Sequence, residues 1–238
     1  MNNFLNKNCF ISGATGGLGT EIAKVLLSNG CNLFLTAKSR QKLIRLKQVL
    51  EEHNETSQIY FCEGNLSKLK DISRIITQAK NKLGTIDILI NSAGIFLSKP
   101  IVQTSLDEYE KVFDTNIRAP FLFCKEFSKY MMKKKWGRIV NIGSSSSYQG
   151  FKNGSVYCSS KHSLLGLSRT LHTELKEYGI RTFCISPGSI KTRMGKLSKD
   201  QDFDTFLDPV EVAKYIEFII SFDKELVSEE IRLNRISL

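Results

Sequence analysis

Tyr157 and Lys161 stand four residues apart in a segment that reads as helix, so their side chains share one face. A tyrosine with its ordinary pKa of about 10 is a poor acid–base group at neutral pH. Lowering it to about 7 takes roughly 4 kcal/mol of preferential stabilisation of the phenolate. A lysine ammonium alongside, in a partly desolvated cleft, supplies much of that. Such a pair can give a proton to a carbonyl oxygen or take one from an alcohol. Far upstream, Ser12-Gly13-Ala14-Thr15-Gly16-Gly17-Leu18-Gly19 follows an apolar run and precedes the amphipathic Thr20–Asn29. Strand, glycine turn and helix form the context that a phosphate site requires. Gly13 makes the tight turn, Gly17 lets the backbone approach a pyrophosphate, Gly19 allows close packing, and the free N–H groups of the helix start face the anion.

Short β-branched runs alternate with longer amphipathic stretches, which is the βαβ pattern. Strands are expected at Asn8–Ser12, Cys31–Thr36, Gln58–Cys62, Ile86–Ile90, Arg138–Ile142, Arg181–Ser186 and Glu230–Leu233. Several are apolar throughout, as parallel strands covered on both faces are. The expected fold is a single α/β domain with a doubly wound parallel sheet of seven strands and helices on both faces. Gly30, Gly84, Gly137 and Gly179 fall between helix and strand, where a left-handed residue is wanted. Ser105-Leu106-Asp107-Glu108 has capping-box spacing, and Asp208-Pro209-Val210-Glu211 offers an N-cap followed by a proline at the first helical position. The long helices are expected over Ser105–Lys135 and Val156–Tyr178, and Gly188–Leu207 reads as a lid or binding loop.

Four ordered motifs carry a resemblance. GxxxGxG with Ser12 in the threonine position of TGxxxGxG, Asn91-Ser92-Ala93-Gly94 like NNAG, Tyr157-Cys158-Ser159-Ser160-Lys161 fitting YxxxK, and Pro187-Gly188-Ser189-Ile190-Lys191-Thr192 fitting PGxxxT resemble the short-chain dehydrogenase/reductase superfamily over nearly the whole chain. The resemblance implies a Rossmann fold and hydride transfer between a nicotinamide and a small-molecule carbonyl or alcohol. It implies cofactor contacts from Gly13, Thr15, Gly16, Gly17, Leu18 and Gly19, from Asn65 and Leu66, from Asn91, Ala93 and Gly94, and from Pro187, Gly188, Ile190 and Thr192, with Tyr157 and Lys161 at the reactive end. By the same resemblance Ser144 fixes the substrate oxygen, Asn116 holds a water that links the lysine to solvent, and an oxidised nicotinamide's positive charge assists Lys161 in acidifying the phenol. Singly, each of these residues has a structural explanation; in order and spacing together they point to catalysis.

At the end of the second strand Ala37 occupies the position where NAD-selective relatives place an acid, and Lys38 and Arg40 follow it. A dianionic 2′-phosphate is favoured by charge-assisted bonds to either, so NADP(H) is expected, with NADPH preferred over NADH. Gly16 stands where NADP-dependent relatives often carry a basic residue. Within the enzyme class a 3-oxoacyl-(acyl-carrier-protein) reductase or a sugar-modifying role stays open, although Glu229-Glu230-Ile231-Arg232-Leu233-Asn234 lacks the Asp-Gly-Gly ending typical of the former. A catalytically silent NADP(H)-sensing protein is the alternative of another class; both tyrosine and lysine remain here. The family usually forms dimers or tetramers through its two long helices.

The 238 residues suit one core, and 41% hydrophobic with 24% charged residues argues against disorder, collagen and coiled coil. No apolar run reaches about 18 residues and the N-terminus lacks a signal pattern, so neither membrane insertion nor export is expected. Six cysteines without a CxxC pair fit buried thiols in a reducing, cytoplasmic setting, and His53, His162 and His172 have no HxxxH spacing, so no metal is expected. The net charge of +10 is densest at Lys129, Lys133, Lys134, Lys135 and Arg138, read as a helix end rather than a nucleic-acid surface. Lys191, Arg193, Lys196 and Lys199 in the lid are read as solvating it.

Overall fold

Alternate side chains of the first strand, β1 (Asn8–Ser12), enter two different cores: Cys9 and Ile11 face one, Phe10 the other. A strand apolar on both faces requires a helix layer on each. The computed structural model describes residues 4–52, 56–198 and 201–236. In it β2 (Asn32–Ala37), β3 (Ile59–Glu63), β4 (Ile88–Asn91), β5 (Gly137–Ile142), β6 (Ile180–Pro187) and β7 (Glu230–Leu233) join β1 in one parallel sheet of order β3-β2-β1-β4-β5-β6-β7. Helices α1 (Gly17–Ser28), α2 (Arg40–Glu51) and α7 (Pro209–Ile220) bury Ile22, Leu26, Leu43, Val212 and Ile216 in the first core. The second takes Ile72 and Ile75 of α3 (Leu69–Leu83) and Phe123 and Phe127 of α5 (Ala119–Lys134), with the Phe10 ring 4.8 and 4.9 Å from those of the two α5 phenylalanines. This is the doubly wound architecture expected. The order reverses between β1 and β4, and the crevice beyond their C-terminal ends is where such sheets bind ligands.

Gly30, Gly84 and Gly179 adopt the left-handed backbone expected of them, but Gly137 does not. Lys135 takes that role with φ 49°, and Gly137 opens β5. Its lack of a side chain serves packing, because a Cβ there would stand 2.6 Å from the Met131 sulfur. Arg138 likewise leaves the helix-end cluster. It lies inside β5, 1% exposed, with Nε donating to Ile220 O (3.0 Å), Nη1 to Gly137 O (2.8 Å), and Nη2 to Phe222 O (2.9 Å) and the Asp223 carboxylate. Lys134 does sit at a helix end, paired with Asp87.

The continuous helix expected over Ser105–Lys135 is broken. The capping box at Ser105 and Glu108 forms and starts α4 (Leu106–Phe113), but Asp114–Arg118 is a π-helical segment before α5 begins. Pro120 has no N–H to give the carbonyl four residues back, while the Ala119 N–H reaches Asp114 O, so the ladder slips by one residue. The helix expected over Val156–Tyr178 runs as α6 (Ser155–Leu175) and tightens into a 3₁₀ turn over Lys176–Tyr178. No helix among the described residues is long and apolar enough to cross a membrane. His53 and Lys199 lie outside the described residues.

Candidate active site

The glycine loop closes around contacts that no side chain would permit. Gly13 has φ 71°, and a Cβ there would lie 2.7 Å from the Ala93 backbone of the turn after β4. A Cβ on Gly19 would lie 2.3 Å from Gly13 O, and one on Gly17 would lie 2.6 Å from Thr192 Cγ2. Gly13 and Gly19 thus do what was expected. Gly17 admits the Pro187–Thr192 segment as its neighbour, which brings Thr192 onto the loop. Ala14 N donates to Thr36 O and Gly16 N to Gly13 O, shaping the bend through Thr15. Gly16 caps α1 without any side-chain bond, and the first turn, with Leu18 buried inside it, carries no acid. A short glycine-rich loop, in which only Ala14 and Thr15 bear side chains, against an uncapped, uncompensated helix start suits a diphosphate.

At the ends of β2 and β3 the polar groups already have partners within the protein. Arg40 is not a free cation: its guanidinium pairs with Glu63 at 3.2 Å and lies 5.7 Å from the centre of the Phe61 ring. Glu63 is the register partner of Ala37, so the acid absent from β2 is present one strand over. Burial, and then the neighbouring Lys111 ammonium, hold Lys38 below the ordinary lysine pKa. The resemblance makes Asn65 a cofactor contact. Its side-chain carbonyl accepts from Ser67 N (3.2 Å) and Ser67 Oγ (3.0 Å), and its backbone N–H donates to Asp71, so it also shapes the turn before α3, while Leu66 is buried behind it.

Across the crevice, Tyr157 and Lys161 lie on the inner face of α6, 7% and 5% exposed. Lys161 Nζ donates to Ile142 O at 2.7 Å and stands 5.8 Å from the centre of the Tyr157 ring. Ser144 caps the short turn after β5, its Oγ accepting from Ser146 N, and lies close enough to the Tyr157 hydroxyl to oppose the rise in its pKa. Of the four consecutive serines, Ser144 is therefore the one beside the phenol. The phenol is not acidified in the protein by itself: burial pushes it up to about 12, against the pull of the Ser144 hydroxyl. Burial also lowers Lys161 to about 8. Desolvation thus outweighs the cation–phenolate attraction that the spacing promised, and leaves a phenol that is fully protonated at neutral pH.

Asn116 sits in the π segment, which turns its amide inward. Oδ1 accepts from Ile95 N (2.8 Å), and Nδ2 donates to Ile95 O and to Ser160 Oγ, both at 3.0 Å. Gly94 lies between them, a Cβ there being 3.6 Å from Asn116 Oδ1 and 3.8 Å from Lys161 Nζ. Asn91 points away from the crevice, donating to Asn141 Oδ1 at 2.8 Å, and so ties β4 to β5. Pro187 ends β6; Gly188 N bonds Leu233 O, and Ile190 bridges to Leu207, closing the base of the lid. Sequence reasoning missed Phe96 and Phe151, whose rings lie against Tyr157, and Glu63; no motif spacing marks any of the three.

A family model described as short chain dehydrogenase matches residues 7–202. A 3-oxoacyl-(acyl-carrier-protein) reductase of Rickettsia felis is 32% identical over 230 residues, covering 93% of this chain and 92% of that protein. Among solved structures, levodione reductase superposes with a TM-score of 0.88 at 26% identity, covering 97% of this chain and 96% of that one. A blue fluorescent protein from a metagenomic library, in complex with NADPH, superposes with a TM-score of 0.86 at 27% identity, covering 98% and 97%.

Proposed function

The chain belongs to the short-chain dehydrogenase/reductase family of NAD(P)-dependent oxidoreductases, and from that premise we propose that it is an NADPH-preferring reductase of small carbonyl compounds with Tyr157 as proton donor. The observation that carries this is the buried phenol beside Ser144, one helical turn from an ammonium, together with a glycine-rich turn whose contacts leave no room for a side chain at Gly13, Gly17 or Gly19. Gly13–Gly19 would hold the diphosphate, with Ala93, Gly94 and Thr192 bordering it. When bound, the nicotinamide supplies or accepts the hydride. Ser144 holds the carbonyl oxygen by a hydrogen bond. Tyr157 passes its proton to that oxygen as negative charge builds there, and the Lys161 ammonium stabilises the phenolate left behind. Asn116 fixes the Ile95 backbone and faces Lys161 across Gly94, the position of a water that returns the proton.

Lys38 supports the NADP preference, its ammonium crowded by Lys111 and relieved by a dianion. The Rickettsia felis relative is named for a 3-oxoacyl thioester, and the same chemistry would serve that substrate. Residues 188–207 act as the substrate lid of a single catalytic domain. Phe121, Lys125, Met132, Leu171 and Tyr178 line a cavity of about 430 Å³ between α5 and α6, which supports pairing into a homodimer or homotetramer there. The six free, buried cysteines accord with a reducing, cytoplasmic compartment.

The test is NADPH oxidation over ketones, aldehydes, acyl thioesters and keto-sugars, repeated with Tyr157→Phe. Loss of the proton donor should lower turnover by roughly 10²-fold or more. Turnover within tenfold of wild type removes Tyr157 from the role, and a kcat/KM ratio for NADPH over NADH below one overturns the cofactor preference. Cofactor binding with no turnover on any substrate would favour a sensing protein.

A further inference from the structure

Two rings outside every motif lie against the phenol. Phe96, just beyond the Asn91–Gly94 turn, meets the Tyr157 ring edge-on, centroids 4.9 Å apart and planes at 68°. Phe151, from the loop between β5 and α6, is stacked on Phe96 at 5.9 Å with planes 13° apart, and lies 6.4 Å from Tyr157. Tyr157 is 7% exposed and Phe151 41%, so the reacting group is roofed by rings whose outer surface is open.

The loop is built to hold Phe151 in this place. Asn153 adopts φ 66°, a left-handed backbone that asparagine takes more readily than most residues with a side chain. Gly154 follows, and a Cβ on it would lie 2.7 Å from two atoms of the Phe151 ring, so only glycine lets the ring settle there. Gly154 N donates to Phe151 O at 3.0 Å, and Lys99 N donates to Asn153 O at 2.7 Å, which ties this loop to the segment bearing Phe96. The Lys99 ammonium is itself taken up by Glu108 at 2.8 Å, so it is not left to meet an anionic ligand.

Resting on the reductase reading above, we propose that Phe96 and Phe151 make this site selective for flat, uncharged aryl ketones over straight-chain ones. A planar substrate stacks on a ring already fixed by its loop and loses little internal freedom. A flexible chain loses rotamer entropy and gains only burial.

The experiment compares acetophenone with 2-octanone, which has the same number of carbons, in two readouts: kcat/KM with NADPH, and calorimetric binding to the protein loaded with NADP⁺, which cannot turn a ketone over. The expected preference for acetophenone is roughly three- to tenfold in both readouts. Phe151→Ala should abolish it and Phe151→Tyr should retain it. Phe151→Leu, which keeps an apolar side chain of similar bulk without the π face, should also abolish it, and covers the case in which the alanine variant does not fold. Equal values in the wild type, or a preference that survives both Phe151→Leu and Phe96→Leu, overturns the proposal. A binding preference without turnover supports it while sinking the reductase reading; turnover without a preference does the reverse.

Discussion

Two buried cations, at opposite ends of the sheet, meet the same physical problem in different ways. Arg138, at the start of β5, gives its guanidinium to Ile220 O, Gly137 O, Phe222 O and Asp223, and its register partner Arg181 binds the same loop through the carbonyls of Phe222, Lys224 and Leu226. Lys161, near the C-terminal end of the same strand, donates to Ile142 O, and no carboxylate pairs with it among the described residues. Burial lowers both, Arg138 to about 10 with help from the Arg181 charge, and Lys161 to about 8. Where acceptors surround the cation, burial holds a loop in place. Where they are withheld, the charge is destabilised and its proton becomes available near neutral pH, as catalysis requires.

Removing each cation separates the two cases most sharply. Lys161→Met should abolish turnover by about 10²-fold or more while raising Tm by a few degrees, since a poorly compensated ammonium leaves the interior. Arg138→Met removes the bonds to Ile220 O, Gly137 O, Phe222 O and Asp223, of which Phe222 O keeps Arg181 and Asp223 keeps Trp136, and should destabilise by about 1–3 kcal/mol, lowering Tm by roughly 5 °C, with kcat per folded molecule unchanged. Thermal melts and turnover on the same preparations decide it; a Tm that falls in both variants would erase the distinction.

The pH dependence sharpens the same contrast within one protein. The Lys161 ammonium is lost as pH rises through about 8, so kcat for carbonyl reduction should be level below that point and fall above it. Stability should move the other way. The unfolded lysine binds its proton more tightly than the folded one, so the protein gains stability as pH rises from about 8 towards 10. Above about 10 the raised Tyr157 reverses the trend, because the unfolded phenol ionises first. Turnover and denaturant midpoints across this range check both arms; a turnover profile that stays level to pH 10 would take Lys161 out of the reaction.

The sheet was legible because β1, β4 and β5 are apolar on both faces, and both the glycine loop and Tyr157-to-Lys161 have fixed spacing on regular elements. Ser144 and Asn116 were legible only through order along the chain. What escaped the sequence was set by tertiary competition. Arg138 reads like its lysine neighbours until α7 delivers its last carbonyls to it. The inward seat of the Asn116 amide depends on the Ile95 backbone that it bonds, and the place of Phe151 depends on a left-handed Asn153. Even the phenol's acidity, argued from Lys161 with help from a nicotinamide's charge, is set in the protein by itself by desolvation, which spacing does not reveal.

A third cation, Arg40, extends the comparison to the surface and carries the smallest expected effect. Its side chain is 64% exposed and that of Glu63 34%, so their pairing is worth about 0.2–1 kcal/mol. That is still enough to bias a choice between cofactors that differ by one phosphate. A 2′-phosphate that recruits Arg40 must displace Glu63 and then sit near its carboxylate. Glu63→Gln keeps the shape and removes the charge, and should raise the kcat/KM ratio of NADPH over NADH by roughly two- to fivefold. Arg40→Gln should lower that ratio, through KM more than kcat, because the site lies far from the reacting carbon. If Glu63→Gln lowers it instead, the carboxylate serves to aim the guanidinium at the phosphate, and an exposed ion pair organises the site just as the buried acceptors around Arg138 organise their loop.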